Sequence, residues 1–266
     1  MNNIEHVSSN SVEYSLLKSR LPSDRSILFY PGMACNRFGH PVQVRPHGPV
    51  SDLVDVAHAN YNIIFPEIHM PNGLDSSDPI NGLTIDEQNG KVLEIIADAS
   101  DKVSFHNLTL IGQSLGCLAV GRLASMDWGD LDVRAVLWGP PTLEGSDHRD
   151  MLISKFMSKE KTNVEQSGHG VIQFGSGRLM EVTPSYWQSI DENSLRVHHK
   201  DIQENYSESY AICATEDNFY PNNLDYFNTH LPSIIRRSIK GESHTLKQPE
   251  MREHLKKIMS EILISN

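Results

Sequence analysis

Gly112-Gln113-Ser114-Leu115-Gly116 carries the strongest chemical signal in the chain. It directly follows the apolar run Leu108-Thr109-Leu110-Ile111 and opens a compact apolar stretch over residues 115–126. A serine held on a sharp turn between strand and helix, with small residues on either side so that the two backbones approach closely, is the arrangement of a nucleophile elbow. By itself the pattern is a weak signal, because a glycine-flanked serine can equally cap an ordinary helix. A serine hydroxyl is also a poor nucleophile at neutral pH, and it needs a base within hydrogen-bond reach, itself oriented by a third group.

Two later stretches offer those groups. Ala211-Ile212-Cys213-Ala214-Thr215-Glu216-Asp217 runs from an apolar segment into an acidic loop closed by Pro221. Ile239-Lys240-Gly241-Glu242-Ser243-His244 runs from another apolar segment into a histidine. With Ser114 as nucleophile, His244 is the expected general base and Asp217 the acid that orients it, with the adjacent Glu216 as the alternative acid. A tetrahedral intermediate would also need donors for its oxyanion. The Leu115 N–H at the start of the elbow helix is one candidate. The Met33 N–H, in the turn Phe29-Tyr30-Pro31-Gly32-Met33-Ala34, is the other, and it makes Gly32 a candidate substrate contact.

These residues must be placed by elements, and the sequence alternates them. Short apolar runs at 26–30, 61–65, 108–111, 133–138, 210–214 and 234–239 read as buried strands. Residues 85–103, 115–126 and 249–264 read as helices. Strands alternating with helices imply a mostly parallel sheet covered on both faces, with Ser114, Asp217 and His244 all at carboxyl ends of strands, where open α/β sheets place their sites. Residues 142–205 break the rhythm, with no obvious core strand and with Phe156, Phe174, Tyr186 and Trp187 among polar residues. They read as an inserted helical lid, so the expected division is a core of 1–141 and 206–266 and a lid of 142–205. Phe174, Tyr186 and Trp187 would either line a substrate pocket or fasten the lid to the core.

The 266 residues suit one large α/β domain. A net charge of −11 argues against nucleic acid and anionic membranes as partners. No apolar run approaches a membrane span, and the polar N-terminus lacks the features of a secretory signal, so a cytoplasmic location is expected. Cys35, Cys117 and Cys213, an odd count without paired spacing, suit reduced core thiols. His40, His47, His58, His69 and the adjacent His198 and His199 lack metal-ligand spacing and read as solvated loop histidines, so no metal is expected.

Taken together, the chain from about Ser26 to its C-terminal helix resembles the α/β-hydrolase superfamily of esterases, thioesterases and acyl hydrolases. Its order of serine, acid and histidine is that family's order. Pro31-Gly32-Met33 resembles the family's oxyanion turn, with Pro31 in place of the usual histidine. Met70-Pro71-Asn72-Gly73-Leu74-Asp75-Ser76 resembles the loop after the next strand, without the common Gly-His-Gly string. Asp217 with Pro221, and Gly241-Glu242-Ser243-His244 with Pro249, resemble the acid and histidine loops. Of the usual N-terminal strand pair, residues 11–18 are the sole candidate. The resemblance implies hydrolysis of a small-molecule ester or thioester through an acyl-enzyme on Ser114, without a cofactor. The alternatives are a thioesterase or acyltransferase of a biosynthetic pathway, and a non-catalytic ligand-binding member of the fold.

Overall fold

A computed structural model describes residues 4–9, 12–33, 35, 37, 45–68, 80–156, 167–173, 179–221, 223–241, 243–244 and 246–264. The strands of its first half are β1 (Ile4–Ser9), β2 (Val12–Leu17), β3 (Arg25–Tyr30), β4 (Asn62–Pro66) and β5 (Ile80–Asn81). Those that follow are β6 (Asn107–Gln113), β7 (Asp132–Trp138), β8 (Gly170–Gln173), β9 (Leu179–Val182), β10 (Ser209–Ala214) and β11 (Ile235–Ile239). The helices are α1 (Gly48–Ala57), α2 (Ile85–Ser100), α3 (Gly116–Leu123), α4 (Gly145–Phe156), α5 (Pro184–Glu192), α6 (His199–Asn205), α7 (Asn223–His230) and α8 (Pro249–Ile264).

Among the described residues, eight strands form the main sheet in the order β1-β2-β4-β3-β6-β7-β10-β11. From β4 through β11 every neighbouring pair is parallel. The apolar runs are continuous rather than alternating because both faces are covered. In β3, Leu28 and Tyr30 face a core shared with α2 and α3, while Ile27 and Phe29 face one shared with α1 and α8. Polar clasps close the second layer. Asp52 of α1 accepts two hydrogen bonds from Arg252 of α8, at 2.6 and 2.8 Å. The buried Arg134 donates to the Ile262 carbonyl and to the Tyr61 hydroxyl, which itself donates to the Leu263 carbonyl. No described helix is long and apolar enough to cross a membrane.

All six expected core strands and all three expected helices form, with ends shifted by up to three residues. The N-terminal pair is fuller than expected, since β1 pairs antiparallel with β2 from Ile4↔Leu17 to Ser9↔Val12. As an edge strand that buries Val7 but leaves Glu5, His6 and Ser8 exposed, β1 carries little apolar signal. Helix α1 was also missed, although Val50, Leu53, Val54 and Ala57 repeat at helical spacing behind Pro49.

Residues 142–205 contribute α4, β8, β9, α5 and α6 but, among the described residues, no strand of the main sheet. The stretch is not purely helical, which corrects the sequence expectation. Strands β8 and β9 form a hairpin, and β5 joins it in a second sheet of order β5-β9-β8. Each hairpin strand has four residues and buries one or two side chains, too little apolar content to register as a strand in sequence. The loop at 70–76 and Phe174 lie outside the described residues, and so do the side chain of Phe156 and residues His40 and His69.

Candidate active site

The three residues singled out by sequence come together at the carboxyl ends of β6, β10 and β11. Ser114 sits between β6 and α3 with φ of 52°, in the left-handed region that non-glycine residues avoid. Its amide is tied to the Trp138 carbonyl of β7 at 2.9 Å. The flanking glycines are sterically required. A Cβ on Gly112 would lie 2.7 Å from the Cys117 Cα, and one on Gly116 would lie 2.6 Å from the carbonyl oxygens of Tyr30 and Pro31. Strand, turn and helix therefore pack backbone to backbone around the serine.

The Ser114 Oγ lies 2.9 Å from His244 Nε2, and His244 Nδ1 lies 2.8 Å from Asp217 Oδ2. An ionised carboxylate can only accept, so Nδ1 carries the proton and Nε2 is left to accept from the serine hydroxyl. Asp217 is 2% exposed and His244 7% exposed, whereas Glu216 points to solvent. The structure thus sets Asp217, not Glu216, against the histidine. Burial alone would raise the Asp217 carboxyl, but the His244 hydrogen bond and charge and the amides of Phe219 and Tyr220 outweigh it. Both amides donate to Oδ1, at 2.8 and 3.0 Å, and the carboxyl stays ionised below its ordinary value.

Gly32 packs beside the serine, where a Cβ would lie 3.3 Å from the Ser114 Cβ. Met33 and Leu115, whose amides are the oxyanion candidates, line one small cleft with Ile85, Gln88, Tyr186 and Ile190. Neither amide has a hydrogen-bond partner among the described residues. The buried Tyr186 hydroxyl donates to the Met33 Sδ at 2.9 Å across this cleft. Trp187 is turned elsewhere and donates from Nε1 to the Gly168 carbonyl at 3.1 Å.

Sequence reasoning missed several residues here. Phe219 and Tyr220 pack their rings against the His244 imidazole at 4.9 and 5.2 Å. Gly139, at φ of 58°, leaves room for His244, whose carbonyl oxygen a Cβ there would meet at 2.7 Å. His148 of α4 is buried on Tyr220. The tyrosine beside Pro221 was a usable signal, while His148 had none to mark it among 13 histidines. The expectation of solvated histidines also fails at His198, which is 8% exposed and shares a hydrogen bond with Asn193 Oδ1. Cys117 and Cys213 are buried thiols as expected, but Cys35 is half-buried.

No protein-family model and no curated protein sequence matches this chain. Solved structures do match it over nearly its whole length. Est1E from Butyrivibrio proteoclasticus aligns with a TM-score of 0.71 at 11% identity, covering 98% of each chain. The Paleococcus ferrophilus monoacylglycerol lipase aligns at 0.65 and 15% identity, covering 96% of this chain and 99% of its own. The esterase domain of a Rhodothermus marinus protein aligns at 0.65 and 14% identity, over 97% and 96%. Identities this low carry the architecture rather than the chemistry. With the parallel sheet, the strand-turn-helix serine and the order of the loops, they identify the chain as having the α/β-hydrolase fold.

Proposed function

We propose that the chain is a serine hydrolase that cleaves carboxylic esters or thioesters of small to medium molecules. The observation that carries this reading is the continuous hydrogen-bonded run from the Ser114 hydroxyl through His244 to Asp217, built on a strained turn. Strain and a buried, ionised carboxylate are costly to maintain in a protein that merely binds a ligand. The fold neighbours described as esterases and a monoacylglycerol lipase support ester hydrolysis, and Est1E has been crystallised with ferulic acid bound.

In the first step Ser114 Oγ attacks the acyl carbon while its proton passes to His244 Nε2. The carbonyl oxygen becomes an oxyanion, which the Leu115 and Met33 amides are placed to receive. Asp217 remains ionised and stabilises the imidazolium. Collapse of the tetrahedral intermediate expels the alkoxide or thiolate, which takes the proton from Nε2. Water then repeats the sequence on the acyl-enzyme, releasing the acid and restoring the serine. Residues 142–205 act as the cap that covers this chemistry, with Tyr186 in the acyl region.

Fluorophosphonate labelling, together with hydrolysis of p-nitrophenyl esters, tests the reading. The purified chain should label and turn over, and Ser114→Ala should do neither. A wild-type chain that stays unlabelled would instead be a ligand-binding member of the fold.

A further inference from the structure

Helix α4 lies in the segment between β7 and β10, yet it is fastened to the loop that carries Asp217. His148 is 2% exposed, shares a hydrogen bond of 3.0 Å with the Tyr220 hydroxyl, and meets the tyrosine ring edge-on at 5.7 Å. Two turns further on, Lys155 donates to the Asn218 carbonyl at 3.2 Å and stands 4.8 Å over the Phe219 ring. Tyr220 and Phe219 are the residues whose amides hold Asp217 and whose rings pack on His244. Both tethers from α4 therefore end on residues that touch the acid and the base together.

A buried imidazole is an expensive way to fill space that a leucine or phenylalanine would fill, unless its hydrogen bond is used. Its chemistry also suits the location. Burial first, and then repulsion from a charged His244, push His148 down to about 4, so it is neutral near pH 7. A neutral imidazole gives Tyr220 a polar anchor without placing a second positive charge near the imidazolium that forms on His244. Arginine, which keeps its charge even when buried, could not do this.

We propose that His148 is a positioning residue for the chemistry at Ser114, holding the Tyr220 ring against His244 through the tyrosine hydroxyl and so keeping Nε2 in register with Ser114 Oγ. This rests on the serine-hydrolase reading above. It makes α4 a part of the catalytic apparatus rather than simply a cover.

The test is steady-state hydrolysis of p-nitrophenyl acetate by the full chain and by His148→Ala, His148→Gln, Tyr220→Phe and His148→Ala/Tyr220→Phe, with a melting temperature for each. Each of His148→Ala and Tyr220→Phe should lower kcat about ten-fold or more with KM nearly unchanged, since a misplaced base costs turnover rather than binding. The double variant should be no worse than the worse single, because one contact is lost in both. His148→Gln, which can still hydrogen-bond to the hydroxyl, should recover most of the loss. A Tyr220→Phe variant with wild-type kcat overturns the role of His148 and leaves the assignment of Ser114 standing. Losses that multiply in the double variant, or that follow melting temperature alone, also overturn it. A wild-type chain that neither hydrolyses the ester nor labels with a fluorophosphonate overturns both. Should His148→Ala fail to fold, Tyr220→Phe, which removes one oxygen atom, decides the matter alone.

Discussion

The strand-end loops and the segment 142–205 meet at Tyr220, whose ring packs on His244 and whose hydroxyl shares a hydrogen bond with His148, and they are held in place by different means. The loops extend the sheet's own ladder. Ser114 donates to the Trp138 carbonyl, Gly139 to Ile212, Thr215 to Ile239 and Glu216 to Gly241, so each loop is tied by backbone to the next strand or the loop beyond it. The inserted segment is fastened mainly by side chains: His148 to Tyr220, Glu144 to Tyr226, Ser189 to the Ile85 amide, Tyr186 to Met33. Backbone ladders survive substitution, whereas side-chain clasps do not. Changes in the loops should therefore remove chemistry and leave the fold, while changes in the segment should shift position, preference or stability.

The largest effect expected is at Ser114. Ser114→Ala should lower kcat for a p-nitrophenyl ester by on the order of 10⁶-fold, the scale of triad loss in serine proteases, with an unchanged melting temperature. His244→Ala should be comparable, and the double variant no worse, because the residues act as a unit. Next is the acid. Asp217→Asn should lower kcat by ~10⁴-fold by leaving His244 in the wrong tautomer, as it does in that protease triad. Glu216→Gln, at an exposed position, should change little. The reverse ranking would move the acid role to Glu216 and contradict the observed geometry.

A third effect belongs to the inserted segment and is read in stability. His148 is depressed to about 4 in the folded chain, against 6.5 for a free histidine. Between those values the unfolded chain binds a proton that the native one does not, so stability falls as pH drops through this window. The loss reaches about 3 kcal/mol below it, at 1.36 kcal/mol per pKa unit. His148→Gln removes that proton linkage while Asp217 and the other carboxylates stay common to both proteins. Urea unfolding at pH 7, 5.5 and 4.5 should show the variant gaining on the wild type as pH falls. A constant difference would mean that His148 is not held neutral.

The contrast also explains what was legible in the sequence. Ser114, Asp217 and His244 announce themselves because each follows a short apolar run by a few residues, and the flanking glycines mark where backbones must touch. That information is local. The inserted segment is specified by contacts distant in sequence, such as His148 with Tyr220 or Tyr186 with Met33, which no spacing rule reaches. Its hairpin is hidden for another reason, since each of its strands has four residues and buries only one or two side chains. Helix α1 is a different case, because its apolar repeat of Val50, Leu53, Val54 and Ala57 is local and stands in the sequence itself.

The smallest effect on turnover, and the finest cut through the comparison, separates two adjacent residues of α5. Tyr186 and Trp187 stack edge-on with ring centroids 5.3 Å apart, and by sequence alone either could line a substrate pocket or fasten the lid. The structure divides them. Tyr186 closes the cleft beside the Met33 and Leu115 amides, while Trp187 fastens α5 to Gly168, at the foot of the hairpin. Tyr186→Ala should open room next to the acyl carbon, so kcat/KM for hexanoyl relative to acetyl esters should rise about ten-fold or more, the worth of one or two methylene contacts. Trp187→Ala should leave that ratio unchanged and lower the melting temperature by several degrees, as the loss of a buried side chain and its hydrogen bond requires. A chain-length profile measured beside the melting curves distinguishes the two. If both variants shift the profile equally, α5 acts on the acyl site as one body, and the division between a specificity residue and a fastening residue is wrong.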